Sequence, residues 1–198
     1  MNTYFDSQFN KKIVTIYPGE YYFGFGDEYI STVLGSCIAV ALYDQNMHFG
    51  GLNHFMLAKD GLGTREKDVL AGRFGEYAME LLINEMFKMG AKKKYLTAKV
   101  FGGSNVLCSD TGTQAEQVGE VNIKFAFDYL NREGIPIISS DTGGTNPRKI
   151  FYDPASSKIW QKKLRNTIHE NEYIKKKETE YFAQQQKKEE KAGDIIWF

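Results

Sequence analysis

The sequence predicts a single α+β domain followed by a charged, partly helical tail, and three observations carry that expectation. Short segments rich in β-branched and aromatic residues recur through residues 12–57 and again at 95–101, 135–139, 149–153 and 158–162, the mark of β-strands. Two longer stretches space their apolar residues by three and four and end on Gly90 and Gly134, as amphipathic helices do. After Lys163 the composition turns to Lys, Glu and Gln, which suits a solvated segment. A chain of 198 residues makes one domain the default. We place the domain at residues 1–163 and the tail at 164–198.

The elements follow in order. KIVTIY, residues 12–17, reads as a first strand closed by the turn pair Pro18-Gly19. EYYFGF and DEYISTVL read as extended segments, and Gly35-Ser36 breaks the second. IAVALY, residues 38–43, is apolar throughout, as a strand buried on both faces should be. Phe49 to Leu57 returns as a strand, with Leu52, His54 and Met56 on one face and Asn53, Phe55 and Leu57 on the other. A polar loop over 59–67 leads into a helix whose stripe is Leu70, Phe74, Ala78, Leu81, Leu82, Met86 and Met89, its methionines facing the core. The strand at 95–101 closes on Gly102-Gly103-Ser104-Asn105. A second helix, from near Gln117 to Glu133, spaces Val121, Phe125 and Tyr129 by four. IPIIS, the loop DTGGTNPRK and two short strands complete the domain. In the tail, Glu172/Lys176 and Lys176/Glu180 suit an exposed helix, and DIIWF ends the chain with an apolar patch.

Composition excludes several function classes. Lys+Arg and Asp+Glu are both 25, for zero formal charge. The basic excess that displaces counterions from nucleic acid is therefore missing. No apolar run approaches the ~18 residues of a membrane span, and the polar first twelve residues lack the apolar block of a signal peptide. Two cysteines make neither a disulfide framework nor a four-ligand zinc site. The expectation is a soluble, cytoplasmic protein. Phosphate-loop, HExxH and CxxC patterns are absent, and the glycine pairs at 102–103 and 143–144 read as turns.

The thiols and imidazoles are the remaining chemistry. Cys108 follows Val-Leu with no nearby histidine and reads as a packed residue. Cys37 follows Leu-Gly-Ser at a break between extended segments, where a glycine lets the backbone turn and present a nucleophile. If 38–43 and 48–57 form a hairpin around a loop from Asp44 to Met47, Tyr43 faces His48 and Cys37 faces His54. Facing residues hold their Cβ atoms ~4.5–5.5 Å apart, and a thiolate–imidazolium nucleophile becomes possible. His48 then sits at the turn and His169 in the tail. Such a pair needs a third group to orient the imidazole, and Ser31 and Thr32 are the hydroxyls available.

TVLGSCIAVALYD followed by GGLNHFMLA resembles the CheD family of chemoreceptor glutamine deamidases. The resemblance continues through IYPGEYYF, through RFGEYAMELLINEMFKMGAKKKYLTAKVFGGSN and through GIPIISSDTGGTNPRKIFYDPASSKIW, covering roughly residues 12–163. It implies a layered α/β sandwich with mixed β-sheets. It also implies Cys37 as nucleophile, His54 as its base, and a threonine shortly before LGSC, a pattern from which this sequence departs because the family count falls on Ser31 and the threonine is its neighbour Thr32. Counting back gives Ser31, on the side of Cys37 by strand parity, with Thr32 as the alternative. Gly35, Ser36, Asn53, Gly102, Gly103, Asp141, Thr142 and Gly143 are the candidate substrate or loop-support residues, and backbone N–H groups around Cys37 the candidate oxyanion donors. The implied reaction turns receptor glutamine into glutamate through a thioester, without metal or organic cofactor. The implied partners are the helical cytoplasmic bundle of a chemoreceptor and a CheC-type phosphatase. Two rival readings are a regulator acting mainly by binding that phosphatase, and a receptor methylesterase using the same nucleophile.

Overall fold

The structure, a computed structural model, describes residues 1–57, 65–105, 115–165, 167, 172, 174, 176–181 and 183, with side chains left out over 65–74 and 115–117. Two mixed five-stranded sheets stack face to face. The first contains β1 (Asn2–Asp6), β2 (Lys11–Thr15), β4 (Glu28–Leu34), β9 (Arg148–Tyr152) and β10 (Ile159–Lys163), side by side in that order. The second contains β3 (Tyr21–Gly24), β6 (Phe49–Asn53), β5 (Ile38–Asp44), β7 (Leu96–Gly102) and β8 (Ile137–Thr142), in that spatial order. The pairs β2/β4 and β7/β8 are parallel and the rest antiparallel. Two helices, α1 (Arg65–Lys88) and α2 (Ala115–Arg132), lie against the second sheet, and a 3₁₀ turn, Lys93–Tyr95, precedes β7.

The layering explains the apolar run of β5. Ala39 and Ala41 face the first sheet with Ile30, Leu34 and Ile150, whereas Ile38, Val40 and Leu42 face the helices with Leu82, Met86 and Leu130. A central strand covered on both faces has no polar side to show. The strand at Phe49 to Leu57 ends at Asn53, with a single further bridge between Ile38 and Phe55.

Four expectations need correction. The polar N-terminus forms β1, an exposed edge strand whose ladder to β2 is made of backbone groups; an element that buries little leaves no apolar signal. In α2, Tyr129 is buried and Phe125 packs against the core as expected, but Val121 is exposed and its neighbour Asn122 is fully buried. In α1, Met79 and Met86 are buried but Met89 is exposed beyond the helix end. The β5–β6 hairpin pairs Tyr43 with Gly50 and Asp44 with Phe49, a register two residues away from the expected one. The turn keeps its expected length but starts one residue later, and His48, its last residue, takes up a positive φ of 56°.

Candidate active site

Cys37 and His54 come together despite the register error, because the error is an even number of residues. Continuing the ladder past the Ile38–Phe55 bridge sets Cys37 across from Met56, with Sγ 3.5 Å from the Met56 sulfur. A two-residue slip preserves the face on which each side chain points. His54 therefore remains on the side of Cys37 as its diagonal neighbour, and the two line one cavity with Thr32. The cavity lies between the sheets, where β4 of the first delivers Thr32 and the start of β5 in the second delivers Cys37.

Thr32, and not Ser31, reaches the imidazole. Thr32 Oγ1 donates to the Ile16 carbonyl at 2.8 Å and lies 2.7 Å from His54 Nδ1. With its proton committed to Ile16, the hydroxyl accepts from Nδ1–H. Nε2 is then the unprotonated nitrogen and has no hydrogen-bond partner among the described residues. The Ser31 hydroxyl is buried with no such partner either. Parity failed at Gly35–Ser36, where the chain leaves the first sheet for the second. Ile30 and Leu34 on one side of that crossing and Cys37 on the other share the intersheet core. The even-numbered face of β4 thus meets the odd-numbered face of β5, which places Thr32 inside and Ser31 outside.

The chain around Cys37 is held by partners distant in sequence. Gly103 N donates to the Cys37 carbonyl at 2.8 Å, and Ser104 N donates to the Gly35 carbonyl at 2.7 Å. Gly102 has φ 115°, and a Cβ there would overlap the Cys37 carbonyl, so the approach requires glycine. Gly143 N donates to Gly102 O at 2.9 Å, and Thr142 pairs with Gly102 in the ladder. Asp141 accepts from Arg148 at 2.6 Å and from Gln161 at 2.7 Å. Arg148, itself 2% exposed, also donates to Ser104 Oγ at 2.9 Å and to the Gly143 carbonyl. Gly102, Gly103, Asp141, Thr142 and Gly143 thus stand behind the cysteine as a brace, outside the cavity lining. Asn53 is elsewhere. Its side chain accepts from Val40 N at 3.0 Å and donates to the Ala78 carbonyl at 3.2 Å, tying β5 to α1.

Sequence reasoning missed Asn122 and Arg148. Asn122 donates to the Ser36 carbonyl at 2.8 Å and accepts from Leu57 N at 2.9 Å. One side chain so clamps the segment carrying Cys37 to the segment carrying His54. The signal was available as a lone amide between Val118 and Ala126 on an otherwise apolar helix face. Cys108 and His169 lie outside the described residues. His48 bonds the Tyr43 hydroxyl at 3.1 Å, on an exposed turn away from the site.

The electrostatics favour neutral partners. Burial lowers the His54 pKa to about 3, against a smaller opposing effect of the Ile16 carbonyl. Burial also raises the Cys37 thiol well above its ordinary value. The nearby Glu178 carboxylate pushes it the same way, and the cysteine's own backbone hydrogen bond opposes them. Both shifts work against a thiolate–imidazolium pair and favour a neutral thiol beside a neutral imidazole. Among the described residues no group of three or more His, Cys, Asp or Glu side chains could hold a metal ion, and no helix is long and apolar enough to cross a membrane.

Comparison with known proteins gives this site its family. The model of CheD chemotactic sensory transduction proteins matches residues 56–163. The Probable chemoreceptor glutamine deamidase CheD 1 of Shewanella oneidensis is 43% identical over 180 residues, covering 91% of this chain and 85% of its own. The chain belongs to the CheD family. The Probable chemoreceptor glutamine deamidase CheD of Herminiimonas arsenicoxydans is 42% identical over 197 residues, covering 100% of this chain and 94% of its own. A second Shewanella oneidensis CheD protein is 42% identical over 195 residues, 96% of each chain. The relatives thus span the segments with Cys37, His54 and Thr32, which precede or straddle the start of the family match.

Proposed function

We propose that this CheD protein hydrolyses the side-chain amides of specific chemoreceptor glutamines to glutamates, with Cys37 as nucleophile, His54 as general base and acid, and Thr32 as the residue that orients the imidazole. The curated relatives carry this activity in their names. The observation that carries the residue roles is the placement of Thr32 Oγ1 between the Ile16 carbonyl and His54 Nδ1. It leaves the lone pair on Nε2, in a side chain that lines the same cavity as Cys37.

In the reaction His54 Nε2 takes the Cys37 proton as Sγ attacks the glutamine carboxamide carbon. The tetrahedral intermediate collapses with cleavage of the C–N bond, and His54 returns the proton to the departing ammonia. Water, deprotonated by the same imidazole, then cleaves the thioester to release a carboxylate and restore the thiol. Of the amides near Cys37, Ile38 N–H is bonded to the Phe55 carbonyl at 2.9 Å, so the oxyanion donors in this reading are the backbone N–H groups from Gly35 to Cys37. Approach of substrate supplies the carbonyl on which charge develops and brings the thiol proton into use.

A chemoreceptor's cytoplasmic helical bundle is the substrate in this reading, which places the enzyme in the cytoplasm. Binding of a CheC-type phosphatase is a compatible second role. The test is peptide mass spectrometry of a receptor cytoplasmic fragment incubated with the wild type and with Cys37→Ala. Gln-to-Glu conversion at defined positions by the wild type alone is expected. Hydrolysis of methyl esters with no amide conversion would transfer the same machinery to the methylesterase reading. No product of either kind from the organism's receptors would leave phosphatase binding as the function.

A further inference from the structure

The cavity is closed on one side by the chain's own C-terminal segment. Residues 172, 174, 176–181 and 183 are helical. Ile174, Lys177 and Glu178 line the cavity opposite Cys37 and His54. Ser36 Oγ donates to Glu178 Oε1 at 2.9 Å, and Cys37 Sγ lies 3.4 Å from the same oxygen. Ile174 and Tyr181 are buried, with Tyr181 part of the intersheet core. Ile174, Glu178 and Tyr181 stand at spacings of four and three, one face of a helix. The Tyr181 ring lies over Gly19, where a Cβ would collide with it. That glycine donates its own amide to the His54 carbonyl at 2.7 Å. Lys177 stands over the Tyr17 ring, with its amine 5.3 Å from the centroid.

A helix that presents a glutamate side chain to the nucleophilic sulfur has the form of the product of the proposed reaction. The cavity left beside it is about 30 Å³, space for roughly two waters and too little for a second glutamine side chain. The occupying carboxylate also opposes ionisation of the thiol. Resting on the deamidase reading, we infer that the groove along Thr15–Pro18 is the docking surface for a substrate helix, and that the helix face of Ile174, Glu178 and Tyr181 occupies it as an intramolecular product mimic through Glu178. A receptor helix must displace them to react. The same face describes the partner: a helix whose target glutamine is preceded by an apolar residue at position −4 and followed by one at +3.

The test uses full-length chains and needs two readouts. Site-resolved alkylation of Cys37 by iodoacetamide reports access to the thiol independently of any receptor. Glu178→Ala and Tyr181→Ala are expected to alkylate faster than wild type, by about tenfold for each unit by which the thiol pKa falls. Both should also convert receptor glutamines faster. A third variant, Glu178→Gln, sets a carboxamide against the sulfur. Cys37 is expected to hydrolyse it back to the acid in the isolated protein, with release of ammonia, and not in the double variant with Cys37→Ala. Wild-type alkylation rates in both Glu178→Ala and Tyr181→Ala would overturn the inference even if receptors are deamidated normally. Faster alkylation with no receptor conversion would retain the occluding segment and overturn the deamidase reading. Target glutamines lacking the apolar flanks would overturn the assignment of the helix face.

Discussion

Replacing Thr32 by valine is the sharpest probe of the site, because it keeps the side-chain shape and removes one oxygen with two bonds. Thr32 is 1% exposed. Its Oγ1 serves the Ile16 carbonyl at 2.8 Å and His54 Nδ1 at 2.7 Å. Thr32→Val leaves a buried acceptor and a buried donor without this partner, each at a cost of about 1–3 kcal/mol. A net loss of about 2–3 kcal/mol in a chain of this size lowers Tm by roughly 5–10 °C. The larger effect is on chemistry. Without the acceptor at Nδ1 the imidazole loses both the preference for a free Nε2 and its fixed orientation. General acid–base assistance is worth about 10²–10⁴-fold, so receptor deamidation is expected to fall within that range while the protein still unfolds cooperatively. Thr32→Ser restores the oxygen and most of the rate. Ser31→Ala removes an oxygen with no partner among the described residues and is expected to be near wild type. The assay is initial-rate mass spectrometry on a receptor fragment, with thermal unfolding measured in parallel. A Ser31→Ala enzyme that is dead beside an active Thr32→Val enzyme would refute the reasoning.

Asn122→Leu removes the clamp between the Ser36 carbonyl and the Leu57 amide, with a stability loss of about 2–4 kcal/mol visible in denaturant melts. It should also reduce deamidation more than the equally buried Leu130→Val, which removes no hydrogen bond to either segment. Gly102→Ala combines a left-handed φ of 115° with overlap of the Cys37 carbonyl and is expected to express poorly or lose several degrees of Tm; a wild-type melt would argue against the close packing of that loop. His54 supplies a pH signature. Its pKa is depressed from 6.5 to about 3 by burial, so the unfolded chain takes up a proton that the native site refuses. Its stability contribution is intact above pH 6.5 and is lost at about 1.4 kcal/mol per pH unit as pH falls from 6.5 toward 3. His54→Gln should flatten that part of the stability profile, and an unchanged profile would show that the imidazole is not neutral in the folded protein.

The sequence by itself determined much of the local structure and singled out the candidate pair. Alternation of side chains over two residues placed Leu52, His54 and Met56 on one face, and Phe55 and Leu57 on the other. The spacing of apolar residues and the terminal glycines placed α1 and α2. LGSC and NHFML together singled out Cys37 and His54. Period-two reasoning is robust to even slips, and so the pair survived a hairpin register wrong by two. It is not robust across a change of sheet. The break at Gly35–Ser36 carries the chain from one layer to the other, and only the packing of the layers decided that Thr32 faces the imidazole. The clamp by Asn122, the brace built on Arg148 and the approach of Glu178 to the sulfur likewise join residues separated by dozens of positions. A linear pattern records which face a residue takes within its own element. Which faces meet is set by how two sheets and a returning helix bury their apolar sides together, and that is a property of the folded chain alone.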